Sequence, residues 1–122
     1  MKYLCLGYYG EDALRTLRAG GAVMAETAAY NDELRRGGHI LDATMLDGGR
    51  AAATLRFEAG KVAVTDGPFA ETKEQLAGAV VLEATDLNHA IQLMSQMPCM
   101  RHVGGCMEIR PIHEQAFNED KR

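Results

Sequence analysis

The order in which apolar and amphipathic segments follow one another constrains the fold of this chain more than any other feature. Lys2–Tyr9 is a short apolar and aromatic run, which is typical of a buried strand. Glu11–Arg36 then has helical spacing of apolar residues, interrupted by the Gly20-Gly21 pair. The Gly37-Gly38 pair ends this stretch, because glycine readily takes the left-handed conformation that follows a helix.

Several shorter segments with a strand pattern and one further helix follow. The strands are predicted over His39–Leu46, Ala51–Phe57, Lys61–Thr65, Ala77–Glu83 and Cys106–Ile112. Glu58-Ala59-Gly60 has the composition of a hairpin turn. Asp86 is the predicted N-cap of the second helix, which Pro98 ends. The apolar face of that helix is predicted to consist of Leu87, Ala90, Ile91, Met94 and Met97.

The order strand, helix, strands, helix, strand predicts an α+β fold, with one antiparallel sheet and both helices on one of its faces. A chain of 122 residues has the length of one domain, predicted over 1–112, with a polar tail over 113–122. The other face of the sheet is left uncovered. A second copy of so short a chain is the simplest way to cover it, so we expect a homodimer.

Charge and cysteine usage exclude several classes of protein. The formal charge of -4 argues against non-specific nucleic-acid binding, which needs a basic surface. The longest strongly apolar run, Gly78–Leu82, is far shorter than the roughly 20 residues of a bilayer span. Three cysteines without a CxxC spacing indicate reduced thiols and a cytoplasmic protein. A zinc site at Cys99, His102 and Cys106 lacks an obvious fourth ligand, and we expect neither metal nor cofactor.

The segment Thr65–Gln75 concentrates polar side chains around a backbone restrained by glycine and proline. One interpretation is structural: Asp66 bonds backbone amides, Phe69 fills the core, and Thr72-x-x-Gln75 caps a short helical turn. The other interpretation is functional. In it, the turn holds Asp66, Phe69, Glu71 and Lys73 at the mouth of a pocket, where a carboxylate near an ammonium could exchange protons with a ligand.

Among the four histidines, His102 is the best candidate for proton transfer. It lies in the segment Pro98–Gly105, predicted as a loop before the last strand, and an imidazole titrates near neutral pH. A solvated loop histidine is the competing interpretation. The other three histidines, His39, His89 and His113, have positions typical of exposed side chains.

The run from Asp66 to Leu76, DGPFAETKEQL, resembles the signature of the DGPF branch of the YCII-related family. The opening Met1–Leu4 and the closing Glu108–Ile112 are similar to the two ends of that family. The resemblance implies a ferredoxin-like fold that pairs into a dimeric α/β barrel, with a pocket between sheet and helices. It also implies a role that is mostly unassigned: some YCII-related members are lyases acting on chlorinated hydroxyquinols, and DGPF proteins often accompany extracytoplasmic-function sigma factors.

The chain departs from the family at one chemically important point. Lyase-like members resemble one another in a histidine of the first long helix, paired with an aspartate, and Val23–Arg36 contains no histidine. The matching region offers Glu26, Thr27, Tyr30 and Asn31 instead, and Tyr30 joins the candidate ligand-binding residues.

Two hypotheses therefore stand. One is a non-catalytic dimeric module that binds a small ligand or serves regulation, with a sigma-factor association implied by the resemblance. The other is a lyase or isomerase acting on a small cyclic or acidic metabolite, with Asp66 and His102 as the candidate acid and base.

Overall fold

A computed structural model describes residues 1–113 of the chain, with six strands and four α-helices over that range. The strands are β1 Lys2–Gly10, β2 Ile40–Met45, β3 Ala53–Glu58, β4 Lys61–Asp66, β5 Glu74–Glu83 and β6 Cys106–Pro111. The helices are α1 Glu11–Arg18, α2 Ala22–Arg36, α3 Leu87–Met94 and α4 Pro98–Val103, with a single 3₁₀ turn at Gly49–Ala51. The predicted break at Gly20-Gly21 is confirmed, since both glycines have positive φ between α1 and α2.

Four strands form the main sheet in the order β2-β5-β1-β6, and all neighbours are antiparallel. The helical segments lie between β1 and β2 and between β5 and β6. Numbered along the chain, the main-sheet strands thus lie in the order second, third, first, fourth, as expected of a ferredoxin-like sheet. The predicted α+β class with an antiparallel sheet and helices is confirmed.

Strands β3 and β4 do not join this sheet, which corrects the expectation of a single one. They form a separate two-stranded hairpin, closed by Ala59 and Gly60, both at positive φ. The strand pattern there is real, but neither strand has a buried residue. Without a face against the core, the hairpin has nothing to hold it beside β2, and β2 pairs directly with β5 instead.

The core lies on one face of the main sheet. In β1 the odd-numbered residues Tyr3, Cys5 and Tyr9 are buried, whereas the intervening side chains are only half-buried. Tyr3 and Cys5 pack in one apolar cluster with residues of α2 and α3, and Tyr9 packs in a second with α1. Burial of these apolar surfaces fixes both helical layers on the same face.

The second helical region agrees with expectation at its start and differs from it in two later features. Asp86 caps α3 as predicted, because its carboxylate accepts the His89 N–H at 2.9 Å. The helix ends at Met94, however, and Leu87 and Ile91 of its predicted apolar face are exposed. The segment predicted as a loop before the last strand contains α4, which Pro98 begins because proline suits the first turn of a helix.

The turn between β4 and β5 is also built differently. The predicted helical turn at Thr72–Gln75 is wrong, because β5 begins at Glu74. The carboxylate of Asp66 accepts no hydrogen bond within residues 1–113; the Gly67 N–H donates to the Ala52 carbonyl at 2.7 Å, and the Thr54 hydroxyl donates to the Gly67 carbonyl at 2.9 Å. Beyond His113, the predicted polar tail lies outside the described residues.

Candidate ligand-binding site

Two glycines lie opposite each other in the centre of the main sheet. Gly7 of β1 pairs with Gly78 of β5, and the outer strands place Met107 beside Gly7 and Met45 beside Gly78. Neither glycine carries a side chain, so this row leaves a gap on the sheet surface between two methionines. Glycine inside a strand weakens it and often marks close approach of another group.

The gap is part of a cavity of about 140 Å³ between the sheet and α2. Thr27 and Asn31, one turn apart on α2, form its roof, and Cys99 of α4 contributes to one wall. The lining further includes Cys5, Tyr9, Ala43, Thr44, Val80 and Met97. We call this cavity the glycine hollow.

The glycine hollow opens at the edge of the sheet. β2 is an edge strand, and its residues Thr44 and Met45 are both exposed, Met45 to 59%. The opposite end is closed by buried Tyr9 and Met97. A molecule could therefore enter past a flexible methionine, a side chain that adapts readily to different shapes.

Three polar side chains of the glycine hollow have hydrogen-bond partners within the described residues. The Tyr9 hydroxyl and the Cys99 thiol lie 3.2 Å apart and form a hydrogen bond. The Thr27 hydroxyl donates to the Val23 carbonyl at 2.9 Å. The amide oxygen of Asn31 is buried and accepts no hydrogen bond within the described residues. Buried polar atoms are nearly always bonded, so this oxygen is an acceptor without its partner.

The electrostatic character of the glycine hollow is neutral. Its lining contains no Asp, Glu, Lys, Arg or His side chain. Burial raises the pKa of the Cys5 thiol to about 11. Burial, and then the contact with Cys99, raises the pKa of Tyr9 well above its ordinary value. Both groups keep their protons at neutral pH, so the site suits an uncharged molecule better than an anion.

The DGPF segment lies elsewhere. Asp66, Glu71 and Lys73 are exposed, and none of them lines the glycine hollow. Phe69 is 76% exposed rather than packed in the core, with the Arg56 guanidinium 5.1 Å from its ring centre. These four residues thus lie along one exposed segment that follows β4, outside the glycine hollow.

The two remaining predicted residues lie on the helical side. The His102 Nε2 of α4 lies 3.3 Å from the Glu26 carboxylate of α2, and both side chains are more than half exposed. The Tyr30 hydroxyl donates to the Leu93 carbonyl at 2.7 Å, which ties α2 to α3. Neither residue lines the glycine hollow. His102 connects α4 to α2, and Tyr30 connects α2 to α3.

The three cysteines are free thiols with different neighbours. Cys99 contacts Tyr9, whereas the exposed Cys106 lies 3.9 Å from the Glu74 carboxylate. Within residues 1–113, no three His, Cys, Asp or Glu side chains are grouped so that they could hold a metal ion. No helix in the same range has the length and apolarity to cross a membrane.

The sequence predicts only part of this site. Thr27 and Asn31, which form the roof, fall where lyase-like relatives resemble one another in a histidine. Gly7 and Gly78 are not among the predicted site residues. The available signal was a glycine inside each of two apolar strand runs, a pattern that marks a bulge or a close approach.

Two comparisons with known proteins gave matches. The profile of the YCII-related domain matches residues 1–116. A curated protein of Rhizobium meliloti (strain 1021), named "Uncharacterized protein R00369", is 36% identical to this chain over 90 residues. The match covers 74% of this chain and 73% of the Rhizobium protein.

Proposed function

Because this chain belongs to the YCII-related domain family, we propose that it is a dimeric module that binds a small ligand in the glycine hollow. The observation that carries the proposal is the cavity of about 140 Å³, roofed by Thr27 and Asn31, at a place where a sheet and a helix would otherwise pack without a gap. An open cleft lined mainly by apolar side chains, with a few polar groups, has the composition of a small-ligand site.

A binding role has more support than a catalytic one. A lyase or isomerase that moves protons needs a group that titrates near neutral pH within reach of its substrate. The lining contains no Asp, Glu, Lys, Arg or His side chain, and the protons of Cys5 and Tyr9 are held too tightly to serve. The sequence-based candidates Asp66 and His102 lie outside the hollow. Proton transfer at the DGPF segment stays a hypothesis of the sequence alone.

Thermal-shift screening of a metabolite library tests the binding role. Each stabilising compound is tested again on Gly7→Ala, in which the added methyl group points into the glycine hollow. We expect true ligands to bind this variant more weakly. The proposal fails if no compound stabilises the protein, or if stabilising compounds bind the variant as well as the wild type. Turnover of a stabilising compound would instead favour the enzyme hypothesis.

The second part of the proposal, the homodimer, rests on two uncovered apolar surfaces. On the sheet face away from the helices, Leu4, Leu6 and Tyr8 of β1 lie beside Val81 and Leu76 of β5, and none of them belongs to either core cluster. Adjacent apolar side chains on an open face commonly mark an interface between chains.

The β3–β4 hairpin provides the other surface. Its directly opposed pairs Leu55–Val64 and Phe57–Val62 share one face, and all four side chains are more than half exposed, Phe57 to 76%. A two-stranded hairpin alone is marginally stable in water. A second copy of the chain can cover both surfaces symmetrically, as in the dimeric α/β barrel that the family resemblance implies.

Sedimentation at micromolar concentration tests the dimer, which should have twice the 13.3 kDa mass of the chain. Leu6→Lys places a charge on the open sheet face and should shift the protein toward monomer. Ile91→Lys is the matched control, because Ile91 is 45% exposed on α3, away from that face. A monomeric wild type, or equal dissociation of both variants, contradicts the proposal. A link to sigma factors rests on the resemblance to the DGPF branch alone.

A further inference from the structure

We propose that His39 and His89 form an acid-sensitive contact, which holds the start of α3 to the start of β2 at neutral pH and weakens when both imidazoles are protonated. We call these two residues the histidine pair. Neither ring lines the glycine hollow, so the contact does not depend on a ligand there. Three observations support it: the contact between the rings, the hydrogen bonds that fix each tautomer, and the charges on the adjoining elements.

The two rings of the histidine pair touch each other. Their centroids lie 5.2 Å apart and their planes differ by 88°, an edge-to-face arrangement that aromatic rings prefer. His39 lies between α2 and β2, whereas His89 lies in the first turn of α3. Both residues are half-buried, although their positions in the sequence predict exposed side chains. The contact thus joins α3 to the segment that leads into the edge strand of the main sheet.

Hydrogen bonds fix the tautomer of His39. Its Nδ1 lies 3.1 Å from the Glu83 carbonyl oxygen, which can only accept, so Nδ1 carries the proton of the neutral ring. The backbone is held at the same place, because the His39 N–H donates to the Leu34 carbonyl at 2.8 Å and the His39 carbonyl accepts the Glu83 N–H at 2.7 Å. Nε2 keeps a lone pair, so His39 can take up a second proton without losing these bonds.

The tautomer of His89 is the opposite one. Its Nδ1 lies 3.0 Å from the backbone nitrogen of Thr85, which can only donate, so Nδ1 is unprotonated and Nε2 carries the proton. The Thr85 hydroxyl lies 3.2 Å from the same Nδ1 and can also donate to it. A second proton would have to bind at Nδ1, where it would face the Thr85 N–H. Protonation of His89 therefore breaks the bond between its ring and the backbone that precedes α3.

The carboxylates on either side of Thr85 already have partners. The Glu83 carboxylate pairs with the amine of Met1, and the Asp86 carboxylate accepts the His89 N–H as the cap of α3. Within residues 1–113 neither imidazole of the pair forms an ion pair, in contrast to His102. A second proton on the histidine pair thus places two like charges in contact without a carboxylate bound to either ring, which is unfavourable.

The other charged residues on the adjoining elements do not alter this arrangement. Those of β6, Glu108 and Arg110, pair with Leu6 and Leu4 and lie with them on the sheet face away from the helices. Arg36 pairs with Asp32 of its own helix. The remaining ones are Lys2 of β1, Glu33 and Arg35 of α2, and Asp42 of β2.

Loss of the contact acts on the first turn of α3. Ala90, next to His89, is fully buried in the main core cluster, and its N–H donates to the Asp86 carbonyl at 3.0 Å. Interacting groups take up protons in two steps, with His39 first because it loses no bond. The unfolded chain binds both protons freely, so the folded state should lose stability as pH falls through the histidine range.

Long-range ¹H–¹⁵N correlation spectra of the imidazole side chains test the tautomers in the full chain. At pH 8 we expect the Nδ1–H form of His39 and the Nε2–H form of His89. On acidification the His39 signals should change first and the His89 signals second, and the Thr85 amide shift should follow His89. The opposite tautomer of either ring, the reverse order, or a Thr85 amide that does not move would overturn the proposal.

Urea unfolding at pH 8 and pH 5.5, at one protein concentration, tests the effect on stability. The midpoint of the wild type should fall by about 0.5 M urea at the lower pH, as expected for the loss of one hydrogen bond. His89→Asn keeps an acceptor at the position of Nδ1 but takes up no proton, so it should lose most of this fall. His39→Asn keeps a donor for the Glu83 carbonyl, removes the first charge and should behave in the same way.

His102→Gln is the matched control, because it removes a more than half-exposed imidazole on α4. It should keep the whole fall of the midpoint. An equal fall in the wild type and in His89→Asn would overturn the proposal, and so would a fall that only His102→Gln removes. If His89→Asn does not fold, His39→Asn and the imidazole spectra of the wild type decide.

Discussion

Filling the glycine hollow with one methyl group should make the protein more stable and a poorer binder. In Gly7→Ala the new Cβ would meet only the Tyr9 ring at 3.6 Å and the Gly78 carbonyl at 3.9 Å, both ordinary contact distances. Gly7 is not among the residues with positive φ, so alanine fits the backbone without strain. The substitution therefore adds apolar contact at no steric cost.

The size of the effect follows from two contributions. Replacing an unstrained glycine with alanine lowers the entropy of the unfolded chain and stabilises by about 0.4–1 kcal/mol. Burial of one methyl group adds about 0.8 kcal/mol. The sum of roughly 1–2 kcal/mol corresponds to an increase in Tm of several degrees for a domain of this size. Ligand affinity should fall at the same time, because the methyl group removes about 30 Å³, roughly the volume of one water molecule.

Urea unfolding followed by far-UV circular dichroism measures this, with both proteins at the same concentration because dimer stability depends on it. Gly78→Ala is the matched comparison in the paired strand. There a Cβ would lie 3.0 Å from the Thr44 carbonyl oxygen, and we expect destabilisation by about 1 kcal/mol. If Gly7→Ala has a lower free energy of unfolding than the wild type, or the same change as Gly78→Ala, then there is no open space beside Gly7.

Three further predictions concern stability. Burial raises the pKa of the Cys5 thiol from 9.0 to about 11, so the folded state binds its proton more tightly than the unfolded state. The resulting contribution to the free energy of unfolding is complete below pH 9 and is lost as pH rises through 11. Urea titrations should show a loss of roughly 3 kcal/mol across this range, and Cys5→Ala should lack it. Gly105→Ala should destabilise by about 2 kcal/mol or more in the same assay, because its Cβ would lie 2.8 Å from the Tyr9 ring; an unchanged midpoint would contradict the packing. Asp86→Ala should cost about 1 kcal/mol through loss of the α3 cap, whereas Asp86→Asn should retain most of it, and equal losses would argue against the cap.

Element types followed from local sequence because their signals are local. The glycine pairs at 20–21 and 37–38 bound α2, and Asp86 caps α3, as the pattern predicted. The strand partner of β2 depends instead on long-range burial. β3 has a clear strand pattern, yet none of its side chains is buried in the core. β2 therefore pairs with β5, although the β3–β4 hairpin separates the two strands in sequence.

The glycine hollow was beyond local reasoning for a related physical reason. It requires Gly7 and Gly78 to be in register, as they are at the end of the unbroken run of pairs that begins at Lys2–Glu83. Directly after this pair a β-bulge shifts the register, so that Tyr8 pairs with Leu76. A shift by one residue would place a side chain in the gap. The DGPF run attracted attention because it concentrates charge, but charged side chains are at least as stable in solvent as at a pocket, and these are exposed.

The location of a bound ligand tests the central claim most directly. Amide chemical shifts of the ¹⁵N-labelled protein, recorded during titration with a compound that stabilises it in the thermal-shift screen, report which segment the molecule contacts. We expect the largest changes at Gly7, Gly78 and Asn31, around the glycine hollow, and their absence in Gly7→Ala at the same ligand concentration. Changes confined to the segment from Asp66 to Lys73, with the amides of the hollow unmoved, would contradict it.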